Sequence, residues 1–146
     1  MKTKKKTLTK LKKELWVLVS QYVRMDAADD MGWVQCYTCP ARRFWKNEPL
    51  KGTLGIQAGH CFTQGGHKST IFDLDNIRPQ CYQCNINNSG EGAVFRGNLE
   101  RDHGKKFVND LERRAKQPYR GDVFYLEDQI DVYKEKLKQL KLIKGL

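Results

Sequence analysis

The chain has 146 residues, 27 of them Lys or Arg and 17 Asp or Glu, for a formal net charge of +10. That length suits one domain able to bury roughly two thirds of its unfolded surface. The cationic excess, spread along the chain among Trp, Tyr and Phe, points to a polyanionic partner, nucleic acid before any other. The apolar run Leu15 to Val19 falls far short of the ~20 residues that cross a bilayer, and no small-residue cleavage site follows it, so a cytoplasmic protein without a membrane partner is expected.

After the lysine-rich start "MKTKKK", Leu8, Leu11, Leu15, Leu18, Tyr22 and Met25 recur at intervals of three and four. They form one stripe of an opening helix. Lys10, Lys12, Lys13 and Arg24 lie on its polar face, each either solvated or touching a phosphate, and "DDMG" at 29–32 ends it. From Trp33 to Asn85 the helical period vanishes and Gly, Cys, His and β-branched residues take over, predicting a loop-rich, metal-supported centre. Within it "TLGIQAGHCF" at 53–62 predicts a hairpin strand, Gly65 and Gly66 a turn, and Pro79 of "IRP" a helix beginning near Cys81. Helices follow at about 92–101 and 105–116, separated by "DHG", and at about 124–143. The last carries Leu126, Ile130, Tyr133, Leu137, Leu140 and Ile143 on one stripe, expected to pack on the opening helix in preference to a dimer seam. The whole reads as one α+β domain: a basic helix at 1–30, a metal-bound centre at 33–90 and a helical part at 91–146.

Four of the five cysteines form two CxxC pairs, Cys36 with Cys39 and Cys81 with Cys84. In a reducing compartment this favours metal over disulfides. Two such pairs supply the four corners of a tetrahedron around zinc, with no open position, so the site is structural and its binding energy is folding energy. The 41 residues between the pairs exceed the roughly 15–20 of a simple ribbon. Something is built inside the clip. Cys61 stands apart and reads as a small buried hydrophobe.

Inside the clip lie His60, His67 and Asn76, and directly after its last cysteine lies Asn85. Hydrolysis of a phosphodiester needs a base to deprotonate water and a hard cation against the phosphate. Imidazole suits the first role because its pKa lies near working pH. Magnesium keeps several waters and needs few protein oxygens, so an amide carbonyl fixed beside Cys84 suits the second.

At these residues the chain resembles the HNH branch of the ββα-metal nucleases, in which two CxxC pairs flank a β-hairpin and the second continues "CN", here "CYQCN". More closely, "LWVLVSQYVRMDAADDMGWVQCYTC", "QAGH", "DNIRPQCYQCN" and "SGEG", in this order, resemble the phage NinG, or Rap, recombination endonucleases. The resemblance implies a zinc-clipped ββα-metal centre flanked by long terminal helices. It also implies a magnesium- or manganese-dependent endonuclease acting on branched DNA, such as Holliday junctions and D-loops, in the bacterial cytoplasm. By it His60 is the general base, Asn85 the ligand of the catalytic ion, and Asn76 the residue that orients the histidine or fixes the loop beside it. Gly59 stands where many HNH enzymes carry a carboxylate, and Gln57 where a related pattern has an acidic residue, so Gln57 is assigned a supporting hydrogen bond.

Other residues stay open. His67 either touches substrate or is an exposed bystander, and Asp73 and Asp75 either approach the catalytic ion or order a turn. Asn87 and Asn88 are caps or phosphate contacts, and Phe44 and Trp45 either stack on an unpaired base or enter the core. Arg42, Arg43, Lys46, Arg78, Arg96, Lys105 and Lys106 are the candidate DNA contacts, with Arg101, Arg113, Arg114 and Arg120 beyond them, and none suggests base-specific reading. Symmetric resolution of a junction calls for two active sites, hence a homodimer. The alternative is a zinc-stabilised DNA- or RNA-binding module without catalysis.

Overall fold

The computed structural model describes residues 6–47 and 54–146; the lysines before residue 6 and Thr53, at the start of the expected hairpin strand, lie outside the described residues. Helix α1 spans Leu8–Asp26, with the Thr7 hydroxyl accepting the Lys10 N–H as its cap. Its buried line is Leu11, Leu15, Val19 and Val23, one residue per turn, while Leu8 is exposed and Leu18 and Tyr22 only flank the line. The expected stripe is thus shifted onto the valines. The helix also ends at Asp26, before "DDMG".

Helix α4, Val123–Lys144, opens on Asp122, whose carboxylate accepts the Tyr125 N–H at 2.8 Å. Leu126, Ile130 and Tyr133 join the α1 line in one apolar cluster with Ala58 and Ile77. Each large side chain so buried contributes ~1.5–3 kcal/mol. The stripe stops at Leu140, and Ile143 is 79% exposed, which corrects the expected reach of that face. The two helices run side by side in the same direction: Lys12 meets Tyr119 just ahead of α4, and the Lys144 ammonium donates to the carbonyls of Asp26, the last residue of α1, and of Ala28 just past it. A cation at that place also answers the negative end of the helix dipole.

Four short strands form two antiparallel pairs. Strand β1, Trp33–Gln35, pairs with β2, Arg42–Phe44, and the six residues between them carry the first CxxC pair. Strand β3, Gln57–His60, pairs with β4, Ile77–Gln80, setting Gln57 opposite Gln80 and His60 opposite Ile77. The helix expected near Cys81 does begin there, two residues on, but as one short turn in place of an α-helix. Pro79 sits within β4, where a missing N–H is tolerated at an edge and its carbonyl accepts the Tyr37 N–H at 2.8 Å. The turn itself, Gln83–Asn87, is of the π type, wider than an α-turn.

Helices α2, Gly92–His103, and α3, Lys105–Ala115, fold back on each other through Gly104, whose φ of +90° suits glycine. Phe95, Leu99, Val108 and Leu111 close their own core against Tyr37, Phe62 and Cys61. Cys61 is half-buried there, and burial pushes its thiol up to about 11. Trp45 enters the core beside Met25 and Cys36. Among the described residues no helix is long and apolar enough to cross a membrane.

Candidate functional site

The two CxxC pairs meet. Cys36, Cys39, Cys81 and Cys84 bring their sulfurs within 4.8 Å of one another, and Cys39 Sγ lies 3.7 Å from Cys81 Sγ. A tetrahedron of sulfurs at ~2.3 Å from zinc has edges of ~3.8 Å, so the donor set fits that ion in number, softness and spacing. Backbone donors support it: the Cys81 N–H points at Cys36 Sγ and the Ala41 N–H at Cys39 Sγ. Burial raises the Cys36 thiol, but the Cys81 and Thr38 N–H groups outweigh it and bring it down to about 7. Cys81 and Cys84 bracket the start of the π-type turn, so a metal gripping them also fixes Asn85, whose N–H donates to the Cys81 carbonyl.

His60 ends β3 and is 9% exposed. Its Nε2 lies 2.8 Å from the Ile71 carbonyl oxygen, which can only accept; Nε2 therefore carries the proton and Nδ1 the lone pair. Gln64 donates its amide to Nδ1 at 3.2 Å. Trp16 of α1 stacks on the ring, centroids 4.7 Å apart. Burial holds the His60 pKa below 6.5, against a smaller opposing effect from the Ile71 carbonyl, so the imidazole is neutral and basic at working pH.

Across Gly59 from this ring stands Asn85. A β-carbon at Gly59 would lie 3.0 Å from Asn85 Oδ1 and would collide with Gln80 Oε1. Only glycine fits, which explains why no carboxylate precedes the histidine here. Asn85 Nδ2 donates to Gln57 Oε1 at 2.8 Å, which leaves Oδ1, beside Gly59, as the free acceptor of that amide. Gln80 is wholly buried; its amide donates to Thr38 Oγ1 and to the Gly90 carbonyl, both at 2.9 Å, while its Oε1 has no conventional partner and rests on Gly59. Gly90 lies in "SGEG", where Ser89, Gly90 and Glu91 all have positive φ. Gln80 thus ties the first cysteine loop, this strained turn and the His60 strand together.

Asn76, also wholly buried, accepts the Phe62 N–H at 2.8 Å and donates to the Phe62 and Thr70 carbonyls. These bonds fix the 62–76 loop and with it the Ile71 carbonyl. Asp73 and Asp75 each accept from Arg114 of α3 at 2.9 Å, and Asp73 also accepts the Asp75 N–H, so these carboxylates face α3 and brace the loop. His67 packs edge-on to Phe62, with a buried Nδ1 that has no partner.

A family model described as Bacteriophage Lambda NinG protein matches residues 1–142. The chain belongs to the NinG family. No curated protein and no solved structure matches it.

In this NinG-family chain the basic residues divide into two groups. Arg42 pairs with Asp29 at 2.7 Å, Arg43 donates to the Arg42 carbonyl, Lys46 covers the Trp45 ring, and Arg96 pairs with Glu112 and Glu100. Arg78 donates to the Leu74 and Ile77 carbonyls and to His103 Nε2, so its guanidinium secures the start of β4. Lys105 and Lys106 stand exposed at the start of α3, where the helix dipole disfavours cations and an anionic partner would relieve them. Sequence reasoning overlooked Trp16, Gln64 and Gln80. The i to i+4 step from Lys12 to Trp16 on the helix face that meets β3 was the available hint for Trp16; nothing local marked the two glutamines.

Proposed function

We propose that this chain is a structure-selective DNA endonuclease of the HNH, ββα-metal type, which nicks or resolves branched DNA such as Holliday junctions and D-loops during phage recombination. Membership of the NinG family supports the biological setting. The order of β3, β4 and the helical turn bearing Asn85 supports the ββα centre. One observation carries the reading: a buried, neutral His60, whose Nδ1 is met only by the exposed Gln64 amide, stands on the same strand as Gly59, which Asn85 Oδ1 approaches closely.

In the proposed reaction His60 Nδ1 takes the proton from the water that attacks phosphorus. The exposed Gln64 amide, now on that lone pair, marks the direction of approach and swings away at little cost. Ile71 and Trp16 hold the ring; Asn76 holds Ile71; Gln57 holds Asn85. A magnesium or manganese ion at Asn85 Oδ1 would supply positive charge against the phosphate and the leaving oxygen. Lys105 and Lys106 are the best-placed contacts for a DNA arm, and two chains working as a homodimer would present two such centres to a junction.

The test is nicking of a synthetic branched duplex by purified protein with magnesium or manganese. His60→Ala should abolish cleavage and leave junction binding and the folded state intact. A wild type that binds junctions and cleaves under no divalent ion would leave a zinc-stabilised nucleic-acid-binding module in place of the enzyme. Mass in solution, with and without junction DNA, tests the dimer.

A further inference from the structure

A second recess lies behind the histidine. A cavity of about 650 Å³ opens between the 68–73 turn and the 116–122 connection from α3 to α4, within the roughly 300–1,000 Å³ typical of small-ligand sites. Ser69, Asp73, Gln117, Tyr119, Arg120 and Tyr125 line it. Its charges are largely accounted for: Arg114 at the wall is met by Asp73 and Asp75, and the Asp122 carboxylate caps α4. Arg120, exposed at the rim, has no ion-pair partner among the described residues. What the interior offers is flat and neutral: the half-exposed Tyr125 ring and the exposed Gln117 amide, with Tyr119 in the wall and its hydroxyl packed against Gly121. Such a lining suits a planar heterocycle with a hydrogen-bonding edge better than a phosphate.

The recess is wired to the histidine twice. Ser69 and Asp73 flank Ile71, whose carbonyl holds His60 Nε2. On α1, Lys12 lies 4.5 Å over the Tyr119 ring, and Trp16, one turn or roughly 5.4 Å further along, stacks on His60.

We infer that this cavity takes one unpaired nucleobase of the strand presented to His60, stacked on Tyr125, with Arg120 and Lys12 against the flanking phosphates. The inference rests on the nuclease reading above and deepens it: a fully paired duplex or four-way junction has no base free to enter, so the cavity selects for branched substrates that carry an unpaired base, such as a D-loop.

The experiment uses the full chain and a branched duplex carrying 2-aminopurine as the single unpaired base at the branch, without divalent ions, so that binding is read apart from cleavage. Wild type should quench the fluorophore and bind the branched DNA more tightly than a paired duplex of equal length. Tyr125→Ala should abolish quenching and lower affinity for the branched DNA about tenfold, with paired-duplex affinity unchanged; Tyr125→Phe should restore both. Tyr125 is about half exposed and contributes only its N–H to the helix cap, so the variant keeps the fold. Unquenched 2-aminopurine with wild type, or Tyr125→Ala behaving as wild type, overturns the proposal. Cleavage without quenching would remove the base site and keep the enzyme; quenching without cleavage under magnesium or manganese would do the reverse.

Discussion

His60 Nε2 lies 2.8 Å from the carbonyl oxygen of Ile71, and that bond decides which nitrogen of the ring can accept a proton. Since burial holds the ring's pKa below 6.5, the basic form persists into mildly acid solution. Cleavage should rise with pH along a limb centred below 6.5 and level off above it, as a pH–rate profile would measure. The linkage has the same direction. Between the folded and unfolded pKa the unfolded chain binds more protons, so stability is complete above about 6.5 and is lost as pH falls through the folded value. Acid titration of the melting temperature in wild type and His60→Ala should show that this component disappears with the imidazole.

Trp16 covers the ring without touching the reacting atoms. Trp16→Ala should lower kcat by about 10- to 100-fold through misplacement of the histidine, with KM within about twofold, and Trp16→Phe should recover most of it. Water reaching the ring should also move the acid limb up toward 6.5. An unchanged limb alongside a lower rate would place the effect elsewhere.

Gln64 should behave in the opposite way. Its amide competes for Nδ1, and Gln64→Ala frees that lone pair, so cleavage should equal or exceed wild type in a single-turnover assay. A loss of more than tenfold would make Gln64 part of the machinery.

The four thiols should hold about one zinc per chain by elemental analysis, released in acid because the metal takes them as thiolates. Cys36→Ser or Cys84→Ser should release the metal and lower the melting temperature sharply, since zinc at such a site contributes folding energy outright. Chelation should do the same. Metal-free protein with an unaltered melting temperature would contradict the assignment.

Gly59→Ala should destabilise by about 1–3 kcal/mol or more, because the added carbon meets the buried Gln80. Gly59→Ala combined with Gln80→Ala should regain part of that loss in a double-mutant cycle.

The elements legible in the sequence are those whose signals are local. CxxC spacing marked the thiol cluster, and 3.6-residue periodicity marked α1, α3 and α4, because each is a property of neighbouring residues. β1 and β2 were invisible: three residues each, with Arg42 and Arg43 side by side, leave no alternation to read. Pro79 marked the short helical turn after it but hid the strand it stands in, because proline serves both a helix start and a strand edge and the pairing depends on Ala58, 21 residues away. The stripe on α1 ran through Val19 and Val23 because α4 and the β3–β4 pair decide which flank faces inward. The partners of Arg78 and Arg96 were illegible too, since net charge says nothing of His103 or Glu112, each a long way along the chain.

The same-direction pairing of the first and last helices sets an order of events during synthesis. The apolar line of α1 can meet Ala58 and Ile77 as soon as the β3–β4 pair exists, but it is covered in full only once Leu126, Ile130 and Tyr133 have left the ribosome. The last helix thus closes a core that the opening helix and the His60 strand begin, and the packing behind that strand is finished last.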